Sequence, residues 1–202
     1  MIHPIKRICV FTGSRHGSNP QYAEAAQQLG RELVRRNYSL VYGGGNVGLM
    51  KVIAEAVLDL GGHVTGVIPD SLVNKEVAHR GLSELRIVQS MHERKAMMAE
   101  LSDGFIAMPG GIGTMEEFFE VLSWAQLGIH RKPCGLLNTG GYYDRLIAFL
   151  DHSARFFLDM INVIPQIGTS KLTRSPPNTD RMGVPKNNTS SYCRLKMLSA
   201  LP

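Results

Sequence analysis

The chain has 202 residues, 44% of them apolar, with 22 Lys+Arg against 17 Asp+Glu. That is enough for one domain with a core of its own, and its apolar content is that of a globular protein. No stretch approaches the roughly 18 uninterrupted apolar residues of a membrane span, and Met1-Ile-His-Pro-Ile-Lys-Arg7 has no signal-peptide core, so a cytoplasmic protein is expected.

The net charge of +5 points toward nucleic acid until it is located. Residues 1–170 hold 16 basic and 16 acidic side chains, and residues 171–202 hold six basic ones against Asp180 alone. A basic tail is weak support for a polyanion partner, so nucleic acid is not expected as the ligand. Cys9, Cys134 and Cys193 have no metal-type spacing and make an odd number, which argues against a disulfide framework and a zinc site. Cys9 and Cys134 lie in strand-like runs and are expected as small buried hydrophobes.

In chain order, Arg7–Thr12 is an apolar strand, and Gln21–Arg36 has helical period through Ala25, Leu29, Leu33 and Val34. Ser39–Tyr42 is a second strand, Gly43 to Gly48 a glycine loop, and Leu49–Leu60 a helix closed by Gly61-Gly62. His63–Ile68 is a third strand. The period then lapses between Asp70 and Ser83, a long loop of the kind that carries binding residues. Glu84–Val88, Gly104–Met108 and Lys132–Leu137 are further strands; Met91–Leu101, Thr114–Leu127 and Tyr142–Ser153 are the helices beside them. Strands alternating with helices predict an α/β fold, a Rossmann-like three-layer sandwich whose parallel sheet is covered by helices on both faces. One such domain is expected over residues 1–165, with 166–202 as a basic tail without period and without fixed structure. The apolar run Phe156–Ile164 is expected to cover a sheet edge or a dimer surface.

The chain is organised around Met108-Pro109-Gly110-Gly111-Ile112-Gly113-Thr114-Met115-Glu116-Glu117, a strand that enters a glycine turn and opens onto a helix. Free N–H groups and the helix dipole at such a turn suit a phosphate. Thr114 and Glu117 share the first helical face, yet Thr-x-x-Glu is also a capping box that needs no ligand. The triple glycine and the second acid, Glu116, tilt the balance toward function, because two carboxylates beside a phosphate imply that one of them has another task. In a parallel sheet the ligand lies beyond the carboxyl ends of the strands, where Thr12-Gly13-Ser14, Gly43 to Gly48, the Asp70 loop and Gly110 to Thr114 can converge.

Three rival readings attach to other residues. Gly43-Gly44-Gly45-Asn46-Val47-Gly48 matches Gly-x-Gly-x-x-Gly with Asp70 roughly 20 residues beyond, as in a nicotinamide oxidoreductase. It follows the second strand rather than the first, however, and a turn for close strand–helix packing explains the same glycines. Arg94 and Lys95 stand in the first turn of a helix, where the dipole disfavours cations, so a crevice phosphate or carboxylate is expected to recruit them; a solvated face answering Glu93 is the plain alternative. The seven histidines lack ligand spacing, and nothing around Lys51 or Lys95 supports a pyridoxal Schiff base, so neither metal nor cofactor is expected.

Tyr42-Gly-Gly-Gly-Asn-Val-Gly-Leu-Met50, Met91-His-Glu-Arg-Lys95 and Pro109-Gly-Gly-Ile-Gly-Thr-Met-Glu-Glu117 together resemble the LOG family, the cytokinin riboside 5′-monophosphate phosphoribohydrolases often labelled lysine decarboxylases. Ser123-Trp124-Ala-Gln-Leu-Gly-Ile-His130 and Gly140-Gly-Tyr-Tyr143 fit the same pattern, and the likeness runs from about Lys6 to His152. It implies hydrolysis of the N-glycosidic bond of an adenosine-type monophosphate to free base and ribose 5-phosphate, without metal or redox cofactor, in a cytoplasmic homodimer. A broader purine nucleotide nucleosidase and a phosphate-ligand carrier without turnover are the alternatives. By motif position Arg94 and Glu117 are the catalytic pair; Gly110, Gly111, Gly113 and Thr114 hold the phosphate; Lys95, Glu76 and Ser123 are further contacts. Gly13, Ser14, Gly43, Gly44, Gly45, Met91 and Glu116 complete the expected substrate wall. Relatives continue past the last helix with a further strand and helix, and this chain, with its polar tail, is expected to lack them.

Overall fold

The computed structural model describes residues 6–73, 78–156 and 167–170. Alternation along the first strand sets the architecture. In β1 (Arg7–Phe11), Ile8 and Val10 face one way and Cys9 and Phe11 the other, all buried, so both faces of this strand need cover. β2 (Ser39–Tyr42), β3 (Val64–Pro69), β4 (Glu84–Val88), β5 (Gly104–Ala107), β6 (Cys134–Leu137) and β7 (Ile167–Ser170) join it in one parallel sheet of order β4-β3-β2-β1-β5-β6-β7.

On one face α1 (Gln21–Arg35) and α2 (Gly48–Leu58) seal Ile8, Val10, Leu40, Tyr42 and Val64 with Ala26, Leu29, Leu33, Ile53 and Val57. On the other, α4 (Met91–Glu100), α5 (Ile112–Gln126) and α6 (Asp144–Phe156) contribute Met98, Phe118, Val121, Leu122 and Leu150 against Cys9, Phe11, Phe105 and Leu136. The three-layer α/β sandwich with helices on both faces is thus the fold. Among the described residues no helix is long and apolar enough to cross a membrane.

Chain direction makes the site. From β1 the strands step outward through β2, β3 and β4, then β5 returns to the opposite side of β1. The turns after β1 and β5 therefore part to opposite faces and leave a crevice at their carboxyl ends. There they touch: the Gly13 N–H donates to the Pro109 carbonyl at 3.4 Å.

Several boundaries differ from the sequence reading. A short helix α3 (Asp70–Val73) stands in the expected loop, because the four-residue Asp-Ser-Leu-Val is too short to show a period. α5 starts at Ile112, two residues before Thr114, since glycines 111 and 113 hide a helix start from propensity. β7 is a correction to the expectation of no structure from residue 166: four residues, Ile-Gly-Thr-Ser, complete the sheet beside β6 where a polar context masked them. Phe156 ends α6, and the rest of the run expected as an edge cover, residues 157–164, lies outside the described residues, as do residues 171–202.

Two glycines separate backbone strain from steric overlap. Gly61 has φ +73° with nothing within 4 Å of an added Cβ, whereas Gly48 has φ +54° and its Cβ would meet the Ser14–Arg15 backbone at 2.3 Å. Gly61→Ala should cost about 1 kcal/mol from the left-handed φ alone. Gly48→Ala should cost about 3 kcal/mol or more, because a main-chain overlap adds to it. Urea unfolding of the two variants checks this, and equal losses would mean that the turn after β1 yields freely.

Candidate active site

The cleft at the switch point has a volume of about 320 Å³ and is walled by Thr12, Gly13 and Ser14 on one side and by Gly111 to Thr114 on the other. Arg94, Met91, Met50 and Leu72 close it, and Glu116 and Glu117 stand at its α5 side. Both expected catalytic residues therefore line one crevice, although 23 positions separate Arg94 from Glu117 in the sequence.

The start of α5 decides between capping box and anion site. Its N-cap is Gly111, which offers no side-chain acceptor, and the first intrahelical bond runs from Met115 N to the Gly111 carbonyl at 3.2 Å. Thr114 is the third residue of the helix rather than its cap, so the capping box is not formed. The N–H groups of Ile112, Gly113 and Thr114 precede that first bond and project from the helix end. Gly110 is needed by the protein: an added Cβ would lie 2.1 Å from Thr114 Oγ1 and 2.9 Å from Gly13 N. Gly111 and Gly113 are not. Neither has positive φ, and an added Cβ at either would meet nothing within 4 Å.

Arg94 is 5% exposed and fixed by backbone carbonyls. Its Nε donates to Val67 at 3.1 Å and its Nη2 to Gly43 at 2.7 Å, while Nη1 lies 3.7 Å from Met91 Sδ. The Gly43–Gly48 loop thereby acquires a packing task. A Cβ on Gly43 would overlap Arg94, one on Gly44 would press on Val67 and Ile68, and Gly44 accepts a bond from His79 N at 3.0 Å. Gly43, Gly44 and Gly45 are not among the residues that line the cleft; they hold the arginine and the neighbouring chain.

Lys95 is buried as well, and carboxylates have recruited it. Its ammonium bonds Glu116 and lies 3.1 Å from Glu120, both on α5. Burial pulls its pKa down, but these bonds outweigh burial and leave it above the ordinary lysine value. This is the other task of Glu116, and the ammonium of Lys95 is turned to α5 rather than to the cleft. Glu93 does not answer the two cations: it closes the start of α4, accepting from Gln89 N at 2.8 Å while its own N–H donates to Ser90 Oγ at 3.1 Å.

Burial first, and the Glu117 carboxylate second, push the Cys9 thiol well above its usual value, so the negative charge of Glu117 is felt at the sheet centre. Ser123, two turns further along α5, is exposed, and its hydroxyl donates to Phe119 O at 2.7 Å, away from the cleft. Glu76 lies outside the described residues. Sequence reasoning passed over Met50, Leu72 and Ile112 as cleft residues, since each reads as ordinary apolar filling. Tyr142 and Tyr143, flagged only as a family pattern, reach the glycine turn: Tyr142 OH donates to Gly110 O, and Tyr143 OH to Met108 O at 2.6 Å.

The sequence model of a family described as "Possible lysine decarboxylase" matches residues 50–159. A rice (Oryza sativa subsp. japonica) protein named "Probable cytokinin riboside 5′-monophosphate phosphoribohydrolase LOGL9" is 60% identical over 72% of this chain and 64% of its own, so the match spans just under two thirds of that relative. The cytokinin riboside 5′-monophosphate phosphoribohydrolase LOG7 of Arabidopsis thaliana is 58% identical over 72% of this chain and 67% of its own. Among solved structures, the molybdenum cofactor binding protein of Rippkaea orientalis superposes with a TM-score of 0.59 at 24% identity, covering 75% of this chain and 87% of that one, a likeness of fold alone. With a family model over more than half of its length and relatives near 60% identity, the chain belongs to the family that the model describes as possible lysine decarboxylases, in which these LOG phosphoribohydrolases are its relatives.

Proposed function

We propose that the chain is a nucleoside 5′-monophosphate phosphoribohydrolase, cleaving the N-glycosidic bond of an N6-modified adenosine monophosphate to free base and ribose 5-phosphate. The observation that carries the reading is the pair Gly111 and Gly113, whose missing side chains serve neither backbone conformation nor protein packing. What they leave room for is a ligand pressed onto the N-terminus of α5, and a phosphate suits that place. The names of the relatives supply the substrate class.

In this reading the phosphate sits on the N–H groups of Gly111 to Thr114 and its binding energy holds the ribose against Glu117. The C1′–N bond breaks with its electron pair leaving on the base, which takes up a proton. Water bonds to C1′ and gives its proton to Glu117, whose charge also stabilises the oxocarbenium-like sugar. Arg94, clamped by the Val67 and Gly43 carbonyls, is a fixed cation beside the reacting centre. Lys95 neutralises Glu116, which keeps a second carboxylate charge from opposing the phosphate. Action in the cytoplasm is part of the same proposal.

Incubation with AMP, an N6-isoprenyl adenosine monophosphate and adenosine, followed by chromatography of the free base, tests it. The monophosphates should be cleaved, and adenosine should be at least about 10²-fold poorer in kcat/KM because its phosphate anchor is missing. Glu117→Gln should lower kcat by about 10²-fold or more while the protein still binds the monophosphate. Binding without release of base by the wild type would make the protein a carrier. Preference for AMP would make it a general purine nucleotide nucleosidase.

Gly113→Ala separates ligand from packing. Alanine is the better helix former, so the melting temperature should stay or rise, while affinity for ribose 5-phosphate should fall by about tenfold or more as a methyl group occupies the anion's place. Calorimetric titration measures the second quantity, and unchanged affinity removes the phosphate from this turn.

A homodimer is proposed from the same resemblance. Ile112 is 86% exposed and Met91 40%, both at the cleft mouth, where a second copy would cover them. Light scattering should give twice the chain mass, and Ile112→Asp should lower the dimer fraction.

A further inference from the structure

Three successive carbonyls precede the N–H groups that face the cleft, and each is drawn back into the protein. Met108 O accepts from Tyr143 OH at 2.6 Å, Pro109 O from Gly13 N and Thr12 Oγ1, both at 3.4 Å, and Gly110 O from Tyr142 OH. The two tyrosines are set before any ligand arrives. Their turn is bent through Gly140 and Gly141, at φ +60° and +75°, and tied by Asn138, which accepts from Tyr143 N at 2.7 Å and donates to Asp144 Oδ1 at 2.6 Å. Tyr143 is 1% exposed; Tyr142, at 40%, packs edge-on against Tyr143 and Tyr22, with ring centroids 4.9 and 5.7 Å away.

The bond to Gly110 matters more than its neighbours. The Gly110 carbonyl and the Gly111 N–H belong to one rigid trans peptide, so they point in opposite directions. Holding the oxygen on Tyr142 therefore turns the N–H of Gly111 away from that tyrosine, which is not among the residues lining the cleft, whereas Gly111 is. This peptide lies between two glycines, where side chains do least to oppose its rotation. Rotated, it would present a carbonyl oxygen to an anion in place of a donor.

We infer that Tyr142, backed by Tyr143, is a positioning residue that locks the Gly110–Gly111 peptide in its anion-binding orientation. The inference rests on the phosphate reading of this turn. Tyr142 touches no reacting atom; it sets the polarity of the surface that the phosphate meets.

Tyr142→Phe removes the hydroxyl and keeps the ring contacts, so the fold should be retained. KM for the monophosphate should rise about fivefold and the dissociation constant for ribose 5-phosphate by the same factor, the effect of one lost hydrogen bond, with kcat changed by less than about twofold. Amide exchange in the peptide spanning residues 108–115 should quicken several-fold, while exchange in β1 and β2 stays as in the wild type. A variant that merely loosened the fold would quicken both. Wild-type binding of ribose 5-phosphate with no loss in the variant, or unchanged exchange at 108–115, overturns the inference alone. A wild type that does not bind ribose 5-phosphate at all overturns the phosphate reading and the inference with it.

Discussion

The structure depends on two turns of bare backbone meeting where the sheet reverses its order. Gly13 and Gly110 come so close that a Cβ on Gly110 would lie 2.9 Å from Gly13 N, with Thr114 Oγ1 nearer still. A side chain on Gly110 has no room at that height, so there the crevice is bounded by main chain together with the Thr114 hydroxyl. Everything charged at the site is brought in from the sides. α4 supplies Arg94 and Lys95, and α5 supplies Glu116, Glu117 and Glu120.

Those charges are sorted by helix packing. Lys95 reaches α5 and takes up Glu116 and Glu120, whereas Arg94, one residue earlier and turned by about 100° on the helix, reaches the carbonyls of Val67 and Gly43. Arg94 and Lys95, the fourth and fifth residues of α4, thus acquire separate acceptors. The bonds of Arg94 to Val67 and Gly43 go to neutral carbonyl dipoles, which orient the guanidinium without adding a charge of their own.

The fold was legible because both faces of the sheet are buried in a two-residue alternation, Ile8 and Val10 against Cys9 and Phe11, and because glycine punctuates the strand ends. The turn at Gly110–Thr114 was legible for the same reason. What stayed hidden depends on distances between elements. The partners of Lys95 lie 21 and 25 positions away, and the acceptors of the Tyr142 and Tyr143 hydroxyls 32 and 35, so no local pattern carries them. Similarly, Ile167–Ser170 is a strand only because β6 offers an open edge beside it. The expected glycine loop at Gly43 was legible as a loop, but its task, seating Arg94, needed the third dimension.

The buried thiols carry a consequence for how the molecule meets oxidants and electrophiles. Cys9 sits at the middle of the sheet, and burial pushes Cys134, on the neighbouring side of β5, to a pKa of about 12. Thiolate is the reactive form, and at neutral pH the folded chain holds almost none of it at either position. Alkylation or oxidation of these two sulfurs must therefore wait for the strands to part. Their chemistry runs on the clock of sheet opening, one reporter on each side of the strand that feeds the glycine turn.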